Sequence, residues 1–231
     1  MQENRNIIFI PGLYILLMLV LYVLAVPIWN SIDILDENLK IIRFSSYFNI
    51  LFYGSLFTLY LLLYKTAWRN TFNSFVQHAN KHLKTILIGL LYMLGLMIIV
   101  GYLYTLLGIT ETPENQELLD MQLNGTLFDQ ISLVVFAGFL APLVEESLFR
   151  LSGFYYLKKV SWLPQWGVIA ITSILFGLIH VLGDDIVQII YYAALGVVLG
   201  TLYYKSKNIL VPITVHMLFN IFITIMMFIG L

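Results

Sequence analysis

The chain has 231 residues, 60% of them hydrophobic and only 11% charged, with a mean hydropathy of +0.89; a soluble domain carries about 25% charged residues, so a water-soluble globule is excluded and one polytopic membrane domain is implied. The net charge of -1 gives nucleic acid no electrostatic footing. Cysteine is absent, which removes disulfides, thiolate catalysis and cysteine-held metal.

A membrane-spanning helix needs about 20 apolar residues. Seven stretches qualify, near 7–29, 44–64, 85–107, 128–157, 164–182, 186–204 and 209–230, with eight as the alternative count. The expected fold is therefore all-α, a transmembrane helical bundle forming a single domain over 1–231. The first stretch is too long and too weakly basic at its start for a cleaved signal, and it reads as a retained span. The loop at 30–43 mixes Asp33, Asp36 and Glu37 with Lys40 and Arg43. The next, 65–84, carries Lys65, Arg69, Lys81 and Lys84 and no acid. Aromatic and amide groups are interleaved with these bases, which predicts a short interfacial helix over 66–84. His78 and His82 lie in it at i,i+4; without a third ligand nearby they read as two surface histidines.

The loop at 108–127 is acidic (Glu111, Glu114, Glu117, Asp120) and is expected to be the largest external loop. Lys158 and Lys159, then Asp184 and Asp185, then Lys205 and Lys207 continue the alternation of sign. Basic short loops stay on the cytoplasmic side. The expected placement is thus multi-pass in the cell membrane, N-terminus cytoplasmic and C-terminus extracellular. No internal repeat argues for a transporter.

Ionisable groups at bilayer depth are expensive and mark function. The fourth stretch contains APLVEESLFR, with Pro142 expected to bend the helix just before the acids. Glu146 and Arg150 are spaced i,i+4 and can pair. Glu145, rotated about 100 degrees from Glu146, is left without a local cation and is the better general base. His180 ends ITSILFGLIH, with Phe176 one turn before it. His216 and Asn220 share a face of VPITVHMLFN, an imidazole and a carboxamide that suit an oxyanion or a hydrogen-bonded histidine. A base, a second proton-handling group and an amide donor suit attack of water on a carbonyl. Ser147 has no activating partner, no Asp is read within a span (Asp184 and Asp185 sit at a boundary), and HExxH is absent, so serine, aspartyl and zincin-type sites are disfavoured.

Glu145-Glu146-x-x-x-Arg150, Phe176-x-x-x-His180 and His216-x-x-x-Asn220, in that order, resemble the three motifs of the CAAX protease and bacteriocin-processing family, also called the CPBP or Abi family. The resemblance covers roughly 130–225. It implies a four-helix catalytic core near 128–230, with 1–107 as additional spans. It further implies that Glu145 activates water with help from His180, that His216 and Asn220 stabilise the oxyanion or complete the polar site, and that Glu146, Arg150 and Phe176 support them. The implied activity is an intramembrane endopeptidase acting on a prenylated, bacteriocin-type or signalling peptide. The implied partners are that hydrophobic peptide or lipidated protein and the membrane lipid around it. The cofactor stays open. Glu145, His180 and His216 are the candidate zinc ligands, and the reading leans against a tightly held metal. The compact size points to a bacterial protein, for which peptide maturation or bacteriocin self-immunity is the expected role. A non-catalytic immunity or membrane interaction protein is the alternative.

One expectation is geometrically strained. Glu145 lies about 18 Å from the end of the fourth helix and His180 about 24 Å from the start of the fifth. Their meeting calls for tilt, a partly buried 158–166 linker, or an early end to the fifth helix near Leu182 and Gly183. A polar funnel open to the cytoplasm is expected. The glycine face GVVLG (196–200) permits close helix packing, within the chain or between chains.

Overall fold

A computed structural model describes residues 9–31, 37–109, 114–181 and 186–230. Asp33, Asp36, Glu111, Leu182, Gly183, Asp184 and Asp185 lie outside them, so the expectations resting on those residues are not addressed. Among the described residues the fold is all-helical: α1 (Phe9–Asn30), α2 (Glu37–Leu63), α3 (Lys65–Gln77), α4 (Ala79–Leu106), α5 (Glu114–Leu123), α6 (Leu127–Leu157), α7 (Gln165–His180), α8 (Ile189–Ser206) and α9 (Leu210–Phe228), with a short 3-10 turn, Ile186–Gln188, leading into α8.

Five helices, α1, α2, α4, α6 and α9, are long and apolar enough to cross a membrane. The other two of the seven expected spans are shorter. At 16 and 18 residues, α7 and α8 reach about 24 and 27 Å, against a hydrocarbon core of about 30 Å. They pack antiparallel at close range: a Cβ added to Gly196 would lie 3.0 Å from Ser173 Cα, and one on Gly177 would lie 3.0 Å from the Ile189 carbonyl oxygen. The glycine face of 196–200 is therefore used within the chain.

The long helix α6 sits at the centre. On one side, Val144, Leu148 and Leu151 meet the aromatic seam of α1 and α2, where Phe52, Leu56 and Tyr60 are buried. On the other, Phe149 joins a core built with Phe176, Leu199 and Val215 from α7, α8 and α9, to which α4 adds Ile86 and Met93. The start of α6 is fixed by polar contacts. Asp129 accepts from the Thr126 backbone N–H and hydroxyl at 2.9 and 2.8 Å and from the Ser46 hydroxyl at 2.9 Å, with Arg43 at 3.5 Å. This carboxylate is a further buried acid of the fourth span, and it ties α2 to α6.

Four expectations change. The acidic 108–127 segment is not all loop, because its leucines at 118, 119 and 123 support the helix α5, which is anchored by Gln122 donating to Ser46 Oγ at 3.1 Å. The interfacial helix ends at Gln77, and residues from Ala79 onward belong to α4. The break at His78 folds Phe75 over His82, whose ring stacks 5.2 Å away, so His82 is buried rather than at the surface. The linker expected to be partly buried is open: Lys158, Lys159, Ser161 and Trp162 are all exposed, as is Trp166, which begins α7. Trp162 and Trp166 are placed as interfacial aromatics, while Lys159 lies 4.1 Å over the Tyr155 ring.

Candidate active site

The turn Ala141–Glu146 is α-helical but flanked by two wider π-helical stretches, Phe136–Leu140 and Ser147–Gly153. Such insertions cluster at functional sites. The first has a definite cause. Ala141 N–H donates to the Phe136 carbonyl five residues back. In the same register the Ala137 carbonyl would need the N–H of residue 142, and proline has none. Asn220 fills the gap, its Nδ2 donating to Ala137 O at 2.8 Å. The proline thus acts through register as well as direction, and Asn220 ties α9 to α6 at the level of the acids. Asn220→Ala is expected to strand that carbonyl and cost about 1–3 kcal/mol. In a Pro142→Ala background, which restores an N–H, the cost should shrink. Thermal unfolding of the four proteins reads the coupling, and equal losses in both backgrounds would rule out this pairing.

Glu146 turns away from Glu145 and is fully buried. Its Oε1 takes Arg150 Nη1 at 3.1 Å, and Arg150 Nη2 donates to the Gly196 carbonyl at 2.9 Å. The guanidinium lies 4.7 Å over the Phe176 ring. Phe176 in turn packs against the rings of His180 and His216, centroids 4.4 and 5.7 Å away. The supporting residues are therefore one connected unit behind the imidazoles.

Both histidine tautomers follow from their partners. His216 Nδ1 lies 3.1 Å from Glu146 Oε1, a carboxylate already paired with Arg150, so Nδ1–H is the donor. His180 Nδ1 lies 2.7 Å from the Phe176 carbonyl, which can only accept, so again Nδ1–H donates. The His180 ring is further held by stacking on Tyr192 at 4.7 Å. In each neutral ring Nε2 then keeps its lone pair. The two Nε2 atoms face one oxygen, Glu145 Oε2, at 3.7 and 3.9 Å. Three acceptors thus surround a point that needs a proton donor. Ser147, by contrast, donates to the Leu143 carbonyl at 2.7 Å and faces none of these groups.

These side chains line a cavity of about 180 Å³. It runs from Glu145 past Asn220 and Thr224 to Gln116 and Leu119 of α5 and Met227 near the end of α9. This is the end of the bundle near the acidic segment, opposite the lysine-bearing linkers. The expected funnel from the basic side is corrected accordingly. The physical reason is that α7 starts at the basic edge, uses its whole length to reach Glu145, and has His180 as its last helical residue. Tilt and side-chain reach cover the remaining depth difference.

As a metal site the set has suitable ligand chemistry but not the spacing. Tetrahedral zinc with bonds of about 2.0–2.1 Å needs ligand atoms about 3.3–3.5 Å apart, and here they are wider. Among the described residues no group of three or more His, Cys, Asp and Glu is arranged to hold a metal ion. The chemistry below is derived from the protons of the chain itself.

Six of the seven residues singled out in the sequence form one connected unit, and the seventh, Asn220, lines the same cavity without acting on His216: His216 is bound to Glu146 and Asn220 to Ala137. Sequence reasoning missed Tyr14 and Tyr53. They come from α1 and α2, line the same cavity, and hydrogen-bond to one another near Glu145. With 15 tyrosines in the chain, nothing in the sequence distinguishes these two.

Comparison with known proteins gives the same region. No solved structure matches the chain. The protein named "Putative membrane peptidase YdiL" of Bacillus subtilis (strain 168) is 31% identical over 124 residues, covering 53% of this chain and 47% of that protein. The match thus spans about half the length of the curated relative. Residues 127–222, which carry the two glutamates, Arg150, Phe176, both histidines and Asn220, match the family described as Type II CAAX prenyl endopeptidase Rce1-like.

Proposed function

We propose that the protein is an intramembrane endopeptidase in which Glu145 is the general base. The observation that carries this reading is the convergence of Glu145 Oε2 with two imidazole Nε2 atoms, each set in one tautomer, at the base of a cavity inside a helical bundle. A water at that point donates one hydrogen to Glu145 Oε2 and the other to His180 Nε2, which leaves an oxygen lone pair for the scissile carbonyl carbon. On attack, the proton moves to Glu145 and the carbonyl oxygen becomes an oxyanion. The second N–H of Asn220 and the hydroxyl of Tyr53, both in the cavity wall, are the donors assigned to that oxyanion. His216 Nε2 accepts from protonated Glu145 until the proton is passed to the leaving nitrogen. The C–N bond then breaks as the C=O re-forms, giving an amine and a carboxylic acid, whose remaining proton leaves through His180 Nε2 to solvent and yields the carboxylate.

The mostly apolar cavity wall suits a hydrophobic or lipidated segment, and a prenylated, bacteriocin-type or signalling peptide is the substrate class. With the lysine-bearing edge cytoplasmic, the cavity is reached from the outer side. Peptide maturation or bacteriocin self-immunity in a bacterial cell membrane fits that access. The test is cleavage of fluorescence-quenched hydrophobic peptides, prenylated and plain, by the purified chain in lipid vesicles, with bound zinc measured on the same samples. Cleavage at a defined bond is the expected result. No cleavage of any peptide, in a preparation that unfolds cooperatively on heating, would overturn the endopeptidase reading.

A further inference from the structure

A second cavity, of about 340 Å³, lies at the opposite end of the bundle between α4 and α8. Beside it the side chain of Leu202 packs on Gly89, where a Cβ would sit 2.6 Å from Leu202 Cδ1. Lys81, His82 and Thr85 line the gap from α4, and Thr201, Lys205 and Ser206 line it from α8. Below this polar rim the wall is apolar, and Ile88, Tyr92 and Val197 are exposed on the lipid-facing surface.

Two observations point to an anion. Neither Lys81 nor Lys205 has an acidic partner among the described residues, and the segments 65–84, 158–159 and 205–207 contain eight basic residues and no acid. Separately, His82 is 4% exposed, lines the cavity, and has an Nδ1 without a hydrogen-bond partner. A buried polar atom left unpaired is costly, and a ligand oxygen or a bridging water would relieve it.

We infer that this cavity binds the phosphate of an anionic phospholipid, with Lys81, Lys205 and His82 around the head group and an acyl chain along Ile88, Tyr92 and Val197. The polar rim above a lipid-facing apolar track fits a lipid better than a soluble anion, and basic pockets between spanning helices recognise such head groups. The site is separate from the glutamate cavity and does not rest on the peptidase reading. Its occupant would brace α8, the helix that supplies Gly196 to Arg150.

The experiment is native mass spectrometry and thermal unfolding of the full chain in non-ionic detergent. Phosphatidylglycerol, phosphatidylcholine or inorganic phosphate is added in separate arms. Phosphatidylglycerol should be retained and should raise the melting temperature, and phosphatidylcholine should do neither. Lys81→Gln/Lys205→Gln should weaken retention roughly 25-fold, about fivefold per lysine. Val197→Trp, which fills the apolar track without touching charge, should also block it, and it decides the matter should the lysine variant fail to fold. Lys65→Gln/Lys159→Gln, away from the cavity, should bind as the wild type does. Equal retention of both lipids, an equal loss in the control variant, or unimpaired binding by Val197→Trp would overturn the inference. So would inorganic phosphate alone matching the stabilisation by phosphatidylglycerol, which would make the ligand a soluble phosphate.

Discussion

Glu145→Gln is expected to leave a folded protein that no longer cleaves peptides. The side chain is nearly buried, and its carboxylate faces the two Nε2 lone pairs at 3.7 and 3.9 Å with no cation in contact among the described residues. An amide of the same shape removes a desolvated charge, so the melting temperature should hold or rise. It cannot take a proton from water, so the chemical step should slow by about 10²–10⁴-fold. The measurement is the single-turnover cleavage rate beside a thermal unfolding curve on one preparation. A variant that kept a rate near that of the wild type would move the base to another residue. If the cellular phenotype also survived, the non-catalytic membrane interaction protein would be the better account.

The second large effect is at Arg150. This guanidinium is fully buried and holds Glu146, the Gly196 carbonyl and the face of Phe176 at once. Arg150→Met strands a carboxylate in a dry interior, and breaking a buried pair from one side costs about 3–5 kcal/mol. Glu146→Gln/Arg150→Met removes the stranded charge and should recover much of that loss. Activity should not recover in parallel. The His216 Nδ1–H would then donate to a neutral amide oxygen instead of a carboxylate, and the ring would lose its charged anchor. Unfolding midpoints for the two single variants, the double and the wild type give the coupling energy. If the double variant were no more stable than Arg150→Met, the pair would not be the stabilising element inferred here.

The spans and the pairing of Glu146 with Arg150 were legible because both depend on short-range spacing. Twenty apolar residues make a span, and i,i+4 makes a shared face. The three motifs, read by the same spacing, picked out residues that line or back one cavity. What spacing could not show is what each residue meets across the bundle. Asn220 sits one turn from His216 in sequence, yet its partner is a carbonyl 83 residues away, freed by a π turn that hydropathy cannot reveal. Tyr14 and Tyr53 depend on how α1 and α2 lean on α6. His82 was misjudged because a single break at His78 decides whether it faces water or Phe75. The shortness of α7 and α8 was also hidden. Apolar residues continue beyond the helical ends, and a hydropathy window counts them all.

The bilayer must respond to the shortness of α7. Where a hydrophobic segment falls below the hydrocarbon thickness, the membrane thins around it at a modest cost of fractions of a kcal/mol per Å. Beside α7, with 16 residues, the shortfall is about 6 Å, from a rise of 1.5 Å per residue against a core of about 30 Å. Head groups and their hydration would be drawn inward at the end of α7, where His180 is the last helical residue. The lipid itself then shortens the route by which a hydrolytic water reaches the carboxylate, and a substrate peptide at that rim crosses less oil before it meets the site. Activity should therefore depend on acyl-chain length in the surrounding membrane, with thin bilayers favouring turnover.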